Sequence, residues 1–461
     1  METKKDFPKV GNFWKMLGPS FLVLAMGLGS GEVILWPYLV SKYGMGVAWG
    51  ALLGISMQFF INMEIERYAL IKGESVFVGL YKKYKWTAVW FILSTFIGFG
   101  LPGIISASAR IIGSVFGISE FKYIAIGMLV IIGLLLTLSH TVYKSMESIT
   151  KFLILFCVPL VFILAVLTSD QQTWGALWSG LVGRGDGYSF LPAGISIATF
   201  LAAFAYSGAG GNLNLTQSVY IKEKGYGMGA YSQKISGLLR SKSEEKINLE
   251  GQQFEDTEDN RKNFLNWWRQ INKEHLLVFW FMGLLSMLLL MVLSFNTTYG
   301  IGIGLSGIDF VIAQGEKVGA ILGSFWGLSL LVVLGILLFQ TQLGIVDSTS
   351  RIMGECLALL VTDLKKGKEV NLSAYYFGFV WSQILFGITL FLLNIYEPKT
   401  LIVLGAVINA FAMLVHTLLV RILNKQLVGV YATSTYRVVF IWLIIGFFAS
   451  FSVFNVYSSF F

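Results

Sequence analysis

The chain has 461 residues, 55% of them hydrophobic and 13% charged, with a mean hydropathy of +0.70. This composition excludes an ordinary soluble globular domain and makes lipid the solvent. The net charge of +8 does not point to nucleic acid, because the basic residues lie in short loops between apolar runs, where they set orientation.

The apolar runs are roughly 20 residues long, so they read as spanning helices rather than as the short alternating strands of a closed barrel. In chain order, spans are expected near residues 17–40, 45–66, 86–116, 121–143, 147–168, 190–221, 276–295, 319–350, 375–394, 399–421 and 437–458. Residues 1–16 precede them as a polar N-terminus with Lys4, Lys5, Lys9 and Lys15 and no cleavage pattern, so the first span is expected to remain in the mature protein. Residues 17–168 form a first set of five spans and 190–421 a second set, with 437–458 as an eleventh helix. Lys72, Lys82, Lys83 and Lys85 follow the second span, many basic residues follow the sixth, and Lys365, Lys366 and Lys368 follow the eighth. The alternate loops are nearly bare of them. The positive-inside rule therefore predicts a multi-pass cell-membrane protein with a cytoplasmic N-terminus and, for an odd number of spans, an external C-terminus.

The long polar segment 223–274 is expected to be a cytoplasmic, partly helical linker, with Trp267 and Trp268 at headgroup level. The sequon Asn296-Thr297-Thr298 falls in an expected external loop. Cys157 and Cys356 lie at apolar segments without metal-ligand spacing and read as packing residues.

Two spans differ from the rest. The first reads G-L-G-S-G-E-V from Gly27 to Val33, and the sixth reads Y-S-G-A-G-G-N-L-N from Tyr206 to Asn214. Both place glycine and polar groups at membrane depth, where the backbone leaves helical geometry only if it lines protein or a watery cavity. One alternative makes them small-residue stripes for close helix packing. Their positions favour two broken helices, because each opens a set of five spans and the two sets run in opposite orientation, the pattern of an inverted-repeat transporter. Gly29, Ser30, Gly31 and Glu32 in the first span, with Ser207, Ala209, Gly211 and Asn212 in the sixth, are the candidate substrate or ion site. Asn214, Thr216 and Gln217 add further polar groups on the sixth span. Glu32 carries the most weight, since a carboxylate at this depth costs at least about 2.5 kcal/mol and needs a cavity or a partner. Alternatively it is an uncharged structural hydrogen-bonder or half of an ion pair. Gln340, Asp347 and His416 are candidates for coupling or cavity lining, while Glu64, Glu66 and Arg67 read as a structural ion-pair group near the boundary. Arg110 is a further polar group at membrane depth.

These residues resemble the natural resistance-associated macrophage protein (Nramp) family. G-P-S-F-L-V from Gly18, Gly31 and Tyr43-Gly44 are similar to that family's G-P-G-F-L opening, its D-P-G-N motif and its later Y-G. Arg67 with Gly73 resembles the R-x-x-x-x-x-G that ends its second span, and Asn212-Leu213 with Leu215 is similar to its M-P-H-N-L-Y-L. The resemblance implies an all-α, LeuT-type 5+5 inverted repeat of about eleven helices, broken in helices 1 and 6, and a proton-coupled symporter of metal ions. The departures matter. Gly29 and Ser30 stand where the family has aspartate and proline, Glu32 stands where it has asparagine, and Ala209, Gly210 and Gly211 replace methionine, proline and histidine. Loss of the soft thioether argues for a harder cation than manganese or iron, held by Glu32, Asn212 and backbone carbonyls. The glycine-rich breaks also resemble those of amino-acid/polyamine/organocation carriers, which implies a small organic solute. A non-transporting membrane sensor on the same fold is a further reading.

No cofactor is expected. An ATP-driven pump is not expected, since the sequence carries no G-x-x-x-x-G-K-[ST] loop or nucleotide domain. No catalytic constellation converges on His140, His275 or His416, so an enzyme is not expected. The expected partners are a small inorganic cation or organic solute, protons and the lipid bilayer.

Overall fold

The computed structural model describes residues 5–139, 142–233, 247–300, 308–365 and 369–460. His140, Lys366, Lys368 and residues 234–246 of the linker lie outside them. Nine helices among the described residues are long and apolar enough to span a membrane: Pro19–Tyr43, Met45–Lys72, Trp86–Val115, Val142–Thr168, Glu258–Thr298, Ser324–Leu364, Leu372–Leu392, Pro398–Asn424 and Gly429–Phe454. The shorter apolar helix Lys122–Leu138 and the interrupted element Ile197–Ala205 plus Thr216–Lys224 supply the fourth and sixth crossings. The expected all-α architecture of about eleven spans is the one observed. Its two minimal strand pairs, Arg184–Gly185 with Tyr188–Ser189 and Ile247–Asn248 with Glu369–Val370, sit in connections.

The first span is central. The apolar middle of this helix is wholly enclosed by protein, whereas most of that of the fifth and eleventh faces outward. Enclosure frees the first span from having to present apolar atoms to lipid and allows backbone irregularity there.

The breaks are real. In the first span the α-helix stops at Gly27, and a wide π-helical turn, Ser30–Leu35, follows before Trp36–Tyr43 resumes. In the sixth, Ile197–Ala205 ends before five non-helical residues, and a tight turn Gly211–Leu215 leads into Thr216–Lys224. Gly208, Gly210 and Gly211 have φ of 131°, 74° and 50°, a region that side-chain-bearing residues rarely adopt.

Several boundaries differ from expectation. The third span is also interrupted, between Trp86–Phe99 and Gly103–Val115, because Pro102 has no N–H to offer the Gly98 carbonyl. The eighth starts at Ser324 rather than 319, after a separate helix Asp309–Leu322, and runs 42 residues to Lys365. At 1.5 Å per residue it is roughly 60 Å long and overshoots the ~30 Å hydrocarbon core. The helix Glu258–His275 is continuous with the seventh span. Trp267 is buried, donating to the Pro8 carbonyl at 2.8 Å, and Trp268 lies 3.9 Å under the Arg67 guanidinium, so both pack against other parts of the chain. Asn296-Thr297-Thr298 forms the last turn of the helix Gly283–Thr298 instead of a loop, and both threonines are buried. Cys157 and Cys356 are free and buried.

Candidate functional site

The two interrupted spans touch at their breaks. A Cβ on Gly31 would collide with the Tyr206 carbonyl, and one on Gly27 would meet the backbone of Gly208 at 2.7 Å. Glycine in the first span is thus required by the close approach of the sixth. Gly29 faces the eighth span, where a Cβ would strike the Thr341 side chain.

A broken helix leaves backbone groups without partners, and in this environment each must be satisfied. Neighbouring spans provide the partners. Gln58 in the second span donates from Nε2 to the Ala205 carbonyl and accepts at Oε1 from the Gly210 N–H, both at 3.0 Å. Thr341 donates to the Ala25 carbonyl at 2.9 Å. Asn409 in the tenth span donates to the Gly98 carbonyl, the one released by Pro102, and to the Tyr206 hydroxyl, each at 2.9 Å. Ser207 accepts from Trp36 Nε1 at 2.8 Å and donates to the Ala203 carbonyl at 3.0 Å, tying the outgoing half of the first span to the end of the first half of the sixth.

Glu32 is wholly buried within the wide turn. Its Oε2 accepts from Ser286 Oγ in the seventh span at 2.6 Å, and its Oε1 has no partner. Among the described residues it joins no ion pair, unlike Asp347, Glu223, Glu355 and Glu64. Ser30 and Ala209 are buried alongside it at the breaks. Asn212 sits on the tight turn of the sixth span with its Nδ2 turned to the third, donating to Ser94 at 2.8 Å and Thr95 at 3.0 Å, and its Oδ1 is unpartnered. No hydrogen bond joins it to Glu32.

Asp347 is part of a buried charge network. It accepts from Arg351 at 2.9 Å, from the Tyr376 hydroxyl at 2.7 Å and from the Tyr220 hydroxyl at 3.1 Å, while Arg351 also pairs with Glu223. Lys222 pairs with Glu355 at 3.3 Å nearby. Gln340 donates to Thr150 at 2.7 Å with its carbonyl oxygen free, and both ring nitrogens of the buried His416 lack partners. Glu64 and Arg67 form the expected ion pair at 3.1 Å, but Glu66 turns away from it to Gln217 at 2.6 Å and His275 at 3.2 Å. Arg110 pairs with Asp309 at 2.5 Å at the far end of the third span.

An enclosed cavity with room for roughly one water molecule lies between the third, sixth, eighth and tenth spans, lined by Phe99, Ile104, Tyr206, Gln342, Leu401 and Gly405. No group of three or more histidine, cysteine, aspartate or glutamate side chains suited to a metal ion occurs among the described residues. Gln58, Asn409 and Arg351 were not singled out from the sequence. Each had a signal: Gln58 and Asn62 recur at helical spacing in the second span, Asn409 is a lone amide in an apolar run, and Arg351 stands four residues after Asp347.

No family model and no curated protein matches the sequence. Solved structures do match. A variant of the Eremococcus coleocola manganese transporter aligns with a TM-score of 0.71 at 11% identity, covering 98% of this chain and 89% of that one. The same transporter in complex with an aromatic bis-isothiourea substituted compound gives 0.68 at 12% identity, with the same coverage. MhsT, determined in complex with L-phenylalanine, gives 0.52 at 12% identity over 96% of this chain and 98% of that one. The chain therefore shares the fold of these structures, the Nramp-related, LeuT-type, multi-pass all-α architecture expected from the sequence.

Proposed function

We propose that this chain is a secondary transporter that carries a small, hard cation across the membrane by alternating access, with Glu32 as its principal ligand. One observation carries the reading: a fully buried carboxylate at the crossing of two broken helices, with one oxygen unpartnered and no basic group paired to it. A lone acid in that position gains from a cation that enters and leaves, whereas Asp347, already neutralised by Arg351, does not. The remaining ligands are neutral oxygens: Ser286, the free Oδ1 of Asn212 and carbonyls near Gly29 and Ala209. Such a set suits a hard divalent ion better than manganese or iron in a thioether-containing site. Proton coupling follows from the Nramp resemblance, and His416 has both ring nitrogens free for it. This reading puts the N-terminus in the cytoplasm, supported by the positive-inside rule applied to Lys72, Lys82, Lys83, Lys222 and Lys224.

A second reading, transport of a small organic solute, is supported by the glycine-rich breaks, where Gly208, Gly210 and Gly211 leave backbone groups without side-chain cover. Proteoliposome uptake separates the two. Wild-type protein is expected to take up a divalent cation, and Glu32→Gln to lose uptake at least tenfold. Amino-acid counterflow without any response to metal would overturn the cation reading.

A further inference from the structure

One concavity that the breaks do not explain lies away from them, on the lipid-facing side of the fourth and fifth spans. It is a cleft of about 670 Å³ lined by Ile131, Leu134, Leu135, Leu138 and Ile149, with Lys144, Ser139, Ser145 and Ser148 at one end. Ile131, Leu134, Leu135 and Leu138 recur at i, i+3, i+4 and i+7, one stripe of the helix Lys122–Leu138, and are 38–57% exposed. A cleft walled by such side chains at bilayer depth takes a hydrocarbon chain and does not hold water.

Its polar end distinguishes it from ordinary lipid-facing surface. Lys144 and Ser148 stand one turn apart on the same face of the fifth span. Lys144 forms no ion pair among the described residues, and the hydroxyls of Ser145 and Ser148 form no hydrogen bond there; Ser139 already donates to the Leu135 carbonyl at 2.6 Å. The acid nearest along this helix, Glu147, is shared by Lys151 at 2.5 Å and Lys224 at 2.6 Å, leaving nothing for Lys144. An uncompensated ammonium with two free hydroxyls above an apolar slot matches a phosphate headgroup above an acyl chain. The slot opens on the lysine-rich side of the molecule, and anionic lipid is enriched in the leaflet toward which such sides face.

We infer that this cleft is a binding site for an anionic phospholipid, with the phosphate on Lys144, Ser145 and Ser148 and one acyl chain along Ile131 to Leu138. The same stretch of the fifth span carries Glu147 and Lys151, and Lys151 donates to the Leu17 carbonyl at the start of the first span. A bound headgroup therefore grips an element that anchors a broken helix.

The test is native mass spectrometry of the full chain in detergent, titrated with phosphatidylglycerol and with phosphatidylcholine of the same acyl chains. Wild type is expected to retain phosphatidylglycerol at least fivefold better. Lys144→Gln is expected to bring it down to the phosphatidylcholine level, Lys144→Arg to keep the preference, and Leu134→Trp, which fills the slot, to weaken both lipids. Equal binding of the two lipids by wild type, an undiminished preference in Lys144→Gln, or unchanged binding in Leu134→Trp would each overturn the assignment.

Discussion

Gln58 and Gly210 meet across the interruption of the sixth span: the Gly210 N–H donates to Gln58 Oε1 at 3.0 Å, and the same side-chain amide donates back to the Ala205 carbonyl. One residue on a neighbouring helix thus replaces the hydrogen bonding that the missing turn would have made. Thr341 and Asn409 act similarly toward the Ala25 and Gly98 carbonyls. The breaks are held open by polar side chains from intact helices, so those side chains are where the architecture is most sensitive.

Gln58→Leu removes both partners at once while keeping approximate volume. Each orphaned buried group costs about 1–3 kcal/mol, so the variant is expected to melt several degrees below wild type in detergent. An unchanged melting temperature would mean that water takes over both bonds.

Gly31→Ala adds a single methyl group where the Tyr206 carbonyl already sits, and both spans are enclosed, so neither can shift freely. It is expected to abolish folded yield by size-exclusion chromatography. Gly378→Ala, where nothing lies within 4 Å of the new carbon, is expected to behave as wild type.

Arg351 serves two buried acids, Asp347 and Glu223, and its loss strands both. Breaking a buried pair by removing one partner costs about 3–5 kcal/mol, so Arg351→Met is expected to be the more damaging change. Asp347→Asn leaves Arg351 still paired with Glu223 and is expected to lose less. Thermal unfolding of the two variants side by side gives the order.

The Arg110–Asp309 pair is close but its side chains are 32% and 38% exposed. Exposed pairs contribute about 0–1 kcal/mol. Arg110→Ala is therefore expected to move the melting temperature by no more than a degree or two, and less at high salt. A large loss would assign the pair a conformational role at that end of the third span.

The lipid environment, the span count and the positions of both breaks are determined by the sequence alone. Hydropathy over roughly 20 residues reports the solvent, and glycine-rich polar runs such as Gly27–Glu32 and Tyr206–Asn212 are too costly in a bilayer to occur without a structural reason. The tertiary structure decided everything about direction. It turns Asn212 toward Ser94 and Thr95, locks Asp347 to Arg351, separates Glu66 from its sequence neighbour Glu64, and leaves Glu32 with Ser286 alone. In a helix enclosed on all sides, periodicity no longer marks an inward face. The partner of each polar group is then set by which other helix passes beside it, and that depends on packing across hundreds of residues.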